Sequence, residues 1–237
     1  MENELVICCM DRRLNNFLEN EYGSAIVIRN AGANAAPIMQ MAKRIVKDND
    51  IGAITLITHD DCGAMGKVYS VLKNGGSATE DLKEALINQF NGVNFSTREE
   101  LEEKNTELQL NALKKEFKDI KVVAKPVKMS NIKVPEDTKE HKLLVFSPGK
   151  PDYSRAFKSL GFEPWQCYVV QGSVGNALPD MELAVTDLHA KDVSFIVGNK
   201  DNPRDVKRDL DMASLRLSGI GAEVKRCDIR SVKKNFA

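Results

Sequence analysis

The sequence predicts an α/β fold with a parallel-core sheet and flanking helices. Three observations carry this. Short apolar runs alternate with helical segments along the first 130 or so residues, the pattern of βαβ units. The runs are apolar throughout rather than alternating, as strands are when helices cover both faces of a sheet. The same order of runs then restarts about 140 residues further on.

Taken in order, residues 3–9 form an apolar run bounded by polar residues and read as a strand. Residues 13–22 read as a short helix stopped at Gly23. Residues 25–29, Ala-Ile-Val-Ile-Arg, are a second strand. A helix follows over 36–48, with Pro37 in its first turn, where a missing N–H costs nothing. Residues 53–58 are a third strand, and helices follow at 64–74 and 79–90. The stretch 96–118 is a long amphipathic helix whose Ser96 and Glu99 fit a capping box. Its Lys/Glu-rich surface is expected to be solvated, although an insertion this long can also cap a pocket or bind a partner. Residues 120–124 are a fourth strand.

The second pass is visible in the letters. "ELVICCMDRRLNNFLENEYG" is similar to "KLLVFSPGKPDYSRAFKSLG", and "IVIRNAGANAAP" to "YVVQGSVGNALP", where Asn34 matches Asn176 and Pro37 matches Pro179. "AITLITHDDC" is similar to "VSFIVGNKDN", and "KVVAKPVK" more weakly to "VKRCDIRS". This predicts two tandem repeats, 1–132 and 138–237, the first with a helical insertion at about 75–117.

Composition narrows the function. The chain has 237 residues, 42% hydrophobic and 29% charged, with a net charge of zero. A globular protein follows. Without a basic stripe, nucleic acid is not the expected partner. No apolar run approaches the roughly 20 residues of a membrane span, and the acidic start lacks the basic segment of a secretory signal. A cytoplasmic location is expected. Five cysteines, an odd number in a chain this long, argue against a disulfide framework.

Chemistry concentrates at strand ends. Cys9 ends the first strand, and "THDDCG" places His59 and Cys62 just past the third. In a doubly wound sheet ligands bind at the carboxyl ends of strands, where chain order reverses. If strands one and three are neighbours, with strand two on the other side of strand one, two thiolates and an imidazole converge. That donor set suits tetrahedral Zn²⁺ with one open position. Asp11 lies two residues beyond Cys9, where a carboxylate can accept a hydrogen bond from metal-bound water. Arg13 can hold that carboxylate in a bidentate pair. Cys8 precedes Cys9 on the strand and is expected in the core, as are Cys167 and Cys227. Asp60 and Asp61 are expected to be solvated, or to orient His59. His141 reads as part of a polar linker and His189 as a helix end; neither is expected to be catalytic.

Cys-x-Asp-x-Arg (Cys9, Asp11, Arg13), Arg-Asn-Ala-Gly (Arg29 to Gly32) and His-x-x-Cys-Gly (His59, Cys62, Gly63) together resemble the β-class carbonic anhydrases. The resemblance covers about residues 1–130 well and the second repeat in outline. It implies that Cys9, His59 and Cys62 bind zinc. It also implies that Asp11 and Arg13 orient a zinc-bound hydroxide, and that the reaction is reversible hydration of CO2 to bicarbonate. In some members the same Asp ligates zinc and closes the site. Thr58 departs from the glycine usual before the histidine. The second repeat has lost the motif: Cys9 aligns with Ser147, Asp11 with Gly149, Arg13 with Pro151, His59 with Gly198 or Asn199, and Cys62 with Asp201 or Asn202. One Zn²⁺ per chain is therefore expected. Family members are dimers whose sites lie beside the subunit interface. A fused second repeat then implies an intrachain pseudo-dimer, with Tyr168 and Leu183 joining Gly63 in the pocket wall. Two chains are expected to pair as a homodimer, a pseudo-tetramer. A carbonyl sulfide or carbon disulfide hydrolase on the same scaffold is the alternative enzyme. A non-catalytic zinc-containing binding protein is the third reading, against which the Asp-Arg dyad weighs.

Overall fold

The structure is a computed structural model that describes residues 3–134, 141–146, 153–171, 174–197 and 202–228. It contains two four-stranded sheets, all of whose pairings are parallel. The first has the order β2-β1-β3-β4, built from β1 (Asn3–Cys9), β2 (Ile26–Asn30), β3 (Ile51–Ile57) and β4 (Lys121–Ala124). The second has the order β6-β5-β7-β8, from β5 (His141–Phe146), β6 (Cys167–Gln171), β7 (Ala190–Val197) and β8 (Glu223–Asp228). The α/β class and the placement of strands two and three either side of strand one hold. Both sheets carry a register shift at the same point, between Asn3 and Glu4 in β1 and between His141 and Lys142 in β5.

Helices connect the strands. In the first sheet these are α1 (Asn15–Tyr22), α2 (Met39–Asn49), α3 (Gly63–Asn74), the short α4 (Glu80–Leu82) and α5 (Arg98–Glu116). A π turn at Lys83–Ile87 and a 3-10 turn to Phe90 extend α4. In the second they are α6 (Tyr153–Leu160), α7 (Val174–Thr186) and α8 (Pro203–Ser218). β1 shows why this layering forms. Leu5 and Ile7 face one apolar cluster, with Ile28, Ile45 and Leu56. Val6 and Cys8 face another, as period-two side chains on a sheet covered on both sides must.

That second cluster crosses between the two halves of the chain. It joins Cys9, Cys62, Met65, Leu86 and Phe90 to Tyr168, Met181, Leu183, Phe195 and Leu217. Polar contacts cross as well. Val169 N donates to Met10 O at 3.1 Å, Asn15 Nδ2 to Pro164 O at 2.7 Å and Cys167 O at 2.8 Å, and Lys67 pairs with Asp187.

Two expectations need correction, the cap of α5 and the place of His141. The α5 cap lies one residue later than expected: Thr97 accepts from Glu100 N at 3.2 Å, and Glu100 reaches back to Ser96 N at 2.6 Å. The Lys/Glu-rich face of the helix is exposed at Glu99, Glu100, Glu103, Lys104, Glu107, Lys114, Lys115 and Glu116, while Leu101, Glu102, Asn105, Gln109 and Leu113 are buried on its other face. His141 is no linker residue. It starts β5, is buried, shares Nδ1 with Leu188 O at 3.0 Å and sets its ring edge-on to Tyr168. The second-repeat positions Ser147, Gly149, Pro151, Gly198, Asn199 and Asp201 lie outside the described residues. Asn202 caps α8 through Arg204 N.

Candidate metal centre

β1 and β3 are paired neighbours, so their carboxyl ends meet. Cys9 ends β1, and His59 and Cys62 follow β3 in one short loop. The Cys9 and Cys62 sulfurs are 3.8 Å apart. The thiols of Cys8, Cys9, Cys62 and Cys167 are free. One donor atom from each of Cys9, His59 and Cys62 lies within 4.8 Å of the others, and all three residues are buried.

Two observations test whether this trio fits a metal. Two sulfurs about 2.3 Å from a tetrahedral Zn²⁺ would stand roughly 3.8 Å apart, the separation found. The histidine supplies the second. His59 Nδ1 meets Asp60 O at 2.8 Å. A carbonyl only accepts, so Nδ1 carries the hydrogen and the neutral ring offers the lone pair of Nε2. That Nε2 is buried and has no hydrogen-bond partner, an arrangement a metal satisfies. The residues fit zinc, and among the described residues this is the group of such donors that does.

The loop that carries them is fastened from several sides. Val127 N donates to Thr58 O at 2.9 Å, and Met129 N to Asp60 Oδ1 at 2.6 Å. Thus Asp60 orients His59 through its backbone carbonyl, not its carboxylate. Cys62 is the N-cap residue of α3, where a helix N-terminus favours a thiolate.

The dyad is formed. Arg13 Nε and Nη2 donate to Asp11 Oδ1 and Oδ2 at 2.9 and 2.8 Å, and Arg13 N also donates to Oδ1 at 2.9 Å. Asp11 Oδ2 stands 3.9 Å from His59 Nε2, so the carboxylate lies beside the donor set while Arg13 occupies it. Burial works against the Asp11 charge, but the hydrogen bonds and charge of Arg13, with His59, hold its pKa at about 2. Burial likewise disfavours charge on His59, yet the neighbouring Cys9 and Asp11 raise it to about 9. The hydrogen bond from Cys62 draws Cys9 down against its burial, with help from His59. The same bond, and burial, push Cys62 up.

Arg29 and Gly32 were quoted from the sequence as the ends of the Arg-Asn-Ala-Gly motif but given no role, and Asp180 was not singled out. Arg29, fully buried, donates to Cys9 O at 3.0 Å, to Asp11 O at 2.7 Å and to Asn15 Oδ1. It fixes the backbone between ligand and dyad. The available signal was an arginine ending an otherwise apolar run. Gly32, two residues past Asn30, which pairs with Cys9, has φ +67°, and a Cβ there would meet Met65 Cε at 2.9 Å. That explains a glycine at this position. Asp180 of α7 accepts from Ala31 N at 3.1 Å. Burial raises its pKa to about 7.

Of the expected pocket wall, Tyr168 stands close to the dyad: burial first, then the Asp11 charge, push its phenol up to about 12. Leu183 is buried in the apolar cluster that includes Cys9 and Cys62. The side chain that meets Gly63 is Leu188, whose Cδ2 lies 2.7 Å from where a Cβ would stand.

Residues 4–146 match the family described as carbonic anhydrase. Solved structures to which the chain is similar include a carbonic anhydrase from Glaciozyma antarctica, at 18% identity over 54% of this chain and 77% of that one, with a TM-score of 0.37. Another comes from work on two tetrameric beta-carbonic anhydrases of the filamentous ascomycete Sordaria macrospora, at 17% identity over 57% of this chain and 81% of that one, with a TM-score of 0.40. No curated protein matches the chain. The family match spans more than half of the sequence and includes every donor of the buried Cys-His-Cys group; the chain belongs to the β-class carbonic anhydrase family.

Proposed function

We infer that the chain catalyses reversible hydration of CO2 to bicarbonate at a zinc ion held by Cys9, His59 and Cys62. The observation that carries this is the Asp11–Arg13 pair set beside the donor trio, which a purely structural metal site does not need. When bound, Zn²⁺ brings the pKa of a water in its open position to about 7.

The chain's own groups act around that water. Asp11, ionised throughout the neutral range, can only accept a hydrogen bond. It therefore selects a donor O–H and turns the remaining lone pair toward the substrate. Arg13 takes both Asp11 oxygens, so the carboxylate would stay out of the set of residues, Cys9, His59 and Cys62, that would hold the metal. His59, locked by Asp60 O, presents Nε2 in a fixed direction. Tyr168 and Leu183 from the second half and Gly63 from the first form the wall. CO2 donates no hydrogen bond, so a largely apolar wall admits it without leaving polar groups unpaired.

The second half acts as the built-in partner of the first. The shared strand order, the shared register shift and the common apolar cluster support an internal duplication giving repeats 1–132 and 138–237. One zinc per chain follows. Metal analysis and stopped-flow CO2 hydration near pH 8 test the reading. The expected result is about one zinc per chain and fast hydration, with both lost in Cys62→Ser. A zinc-loaded chain that hydrates no CO2 but turns over carbonyl sulfide would contradict it.

A further inference from the structure

Glu102 lies on the inserted helix α5 and is 7% exposed. Its two oxygens receive the N–H groups of two consecutive residues of the ligand loop. Oε2 accepts from Asp61 N at 3.1 Å, and Oε1 from Cys62 N at 2.8 Å. Arg98, one turn earlier, stands 3.2 Å from Glu102 Oε1 and 3.2 Å from Asp61 Oδ1. Asp61 continues the chain. Its carboxylate and its carbonyl accept from Arg13 at 2.7 and 2.8 Å, on the guanidinium that grips Asp11. Asp61 also has φ +50°, a left-handed conformation that a non-glycine residue keeps only when its surroundings hold it.

A short loop with a strained residue beside a ligand has more than one way to lie. A metal site needs its donors held within about half an ångström. The carboxylate fork of Glu102 supplies that hold: two parallel hydrogen bonds from a rigid helix fix the peptide planes on either side of the strained position. The brace occurs where the donors are. Between β7 and β8 the described residues contain one helix, α8, whereas α3, α4 and α5 lie between β3 and β4.

We propose that Glu102 is a positioning residue for the metal centre, holding Cys62 in its ligating geometry and, through Asp61 and Arg13, keeping the dyad in place. The inserted helix is then part of the site. This rests on the reading that Cys9, His59 and Cys62 hold the metal.

Co²⁺ in place of Zn²⁺ gives a test independent of turnover, because thiolate-to-cobalt absorption reports the ligand geometry. The full-length chain is stripped of metal and titrated with Co²⁺ against a competing chelator. Glu102→Gln keeps the side-chain size but can accept only one of the two N–H groups. The expected result is a Co²⁺ affinity lower by about tenfold or more and an altered cobalt spectrum. Thermal unfolding of the metal-free variant should stay near that of the wild type. Glu103→Gln, on the exposed neighbour, should match wild type throughout. A wild-type cobalt spectrum left unchanged, with unchanged affinity, in both Glu102→Gln and Glu102→Ala overturns the positioning role alone. So does a loss of affinity that merely follows a loss of metal-free stability. A wild type without thiolate-to-cobalt absorption overturns the metal reading and this one with it.

Discussion

Arg29 and Asp180 are two buried charges whose partners are mostly backbone. Arg29 was visible in the sequence as a charge at the end of an apolar strand, but its partners were not. They are carbonyls, which have no identity in a sequence. The Cys9, His59 and Cys62 cluster and the Asp11–Arg13 ion pair were legible because side-chain type and spacing bring them to notice. Asp180 was illegible for a different reason: its contact with Ala31 joins positions 149 apart. Burial lifts its pKa from the usual 3.8 to about 7. Between those two values the folded chain keeps a proton that the unfolded chain has released. The folded state therefore loses stability as pH rises from about 4 to 7, and the full penalty stands above 7. Asp180→Asn retains an acceptor for Ala31 N–H and removes the charge. Its stability relative to wild type should rise between pH 4 and 7 and then level off, by at most about 4 kcal/mol. Urea unfolding of both proteins at pH 5 and pH 8 measures this; a difference that does not change with pH would count against it.

At the scale of elements, the strands and most helices could be read from apolar period and stop signals, because burial on both faces leaves a plain run. α5 was legible as an amphipathic helix, but the job of its inner face was not: the inward stripe, Leu101, Asn105, Gln109 and Leu113, sets amides between apolar ends. The amides face inward because they satisfy the backbone near the site: Asn105 Nδ2 donates to Gly32 O at 2.9 Å, and Gln109 Oε1 accepts from Ala35 N at 3.0 Å. A polar residue at a core position is a hydrogen-bond partner in waiting, and only the tertiary structure says for what. α5 therefore braces both the Arg29–Gly32 turn and the His59–Cys62 loop.

At the scale of the molecule, the two halves share one apolar cluster, and the first half owns a large part of it. A chain ending at residue 134 would lose Tyr168, Met181, Leu183 and Leu217 from the cluster they share with Cys62, Met65, Leu86 and Phe90, leaving an apolar patch uncovered. Such a patch drives association in water. The truncated chain is expected to aggregate, or to pair with itself, and to lose tight metal binding. Size-exclusion chromatography with metal analysis checks this, and a monomeric, zinc-replete fragment would contradict the fused-partner account. The central claim is that Asp11, held by Arg13, orients the attacking water at a zinc centre. Its most direct test is stopped-flow CO2 hydration by wild type and Asp11→Ala, with zinc measured in the same samples. The account predicts about one zinc per chain in both and hydration slower by about a hundredfold or more in the variant. Equal rates at equal zinc content would contradict it.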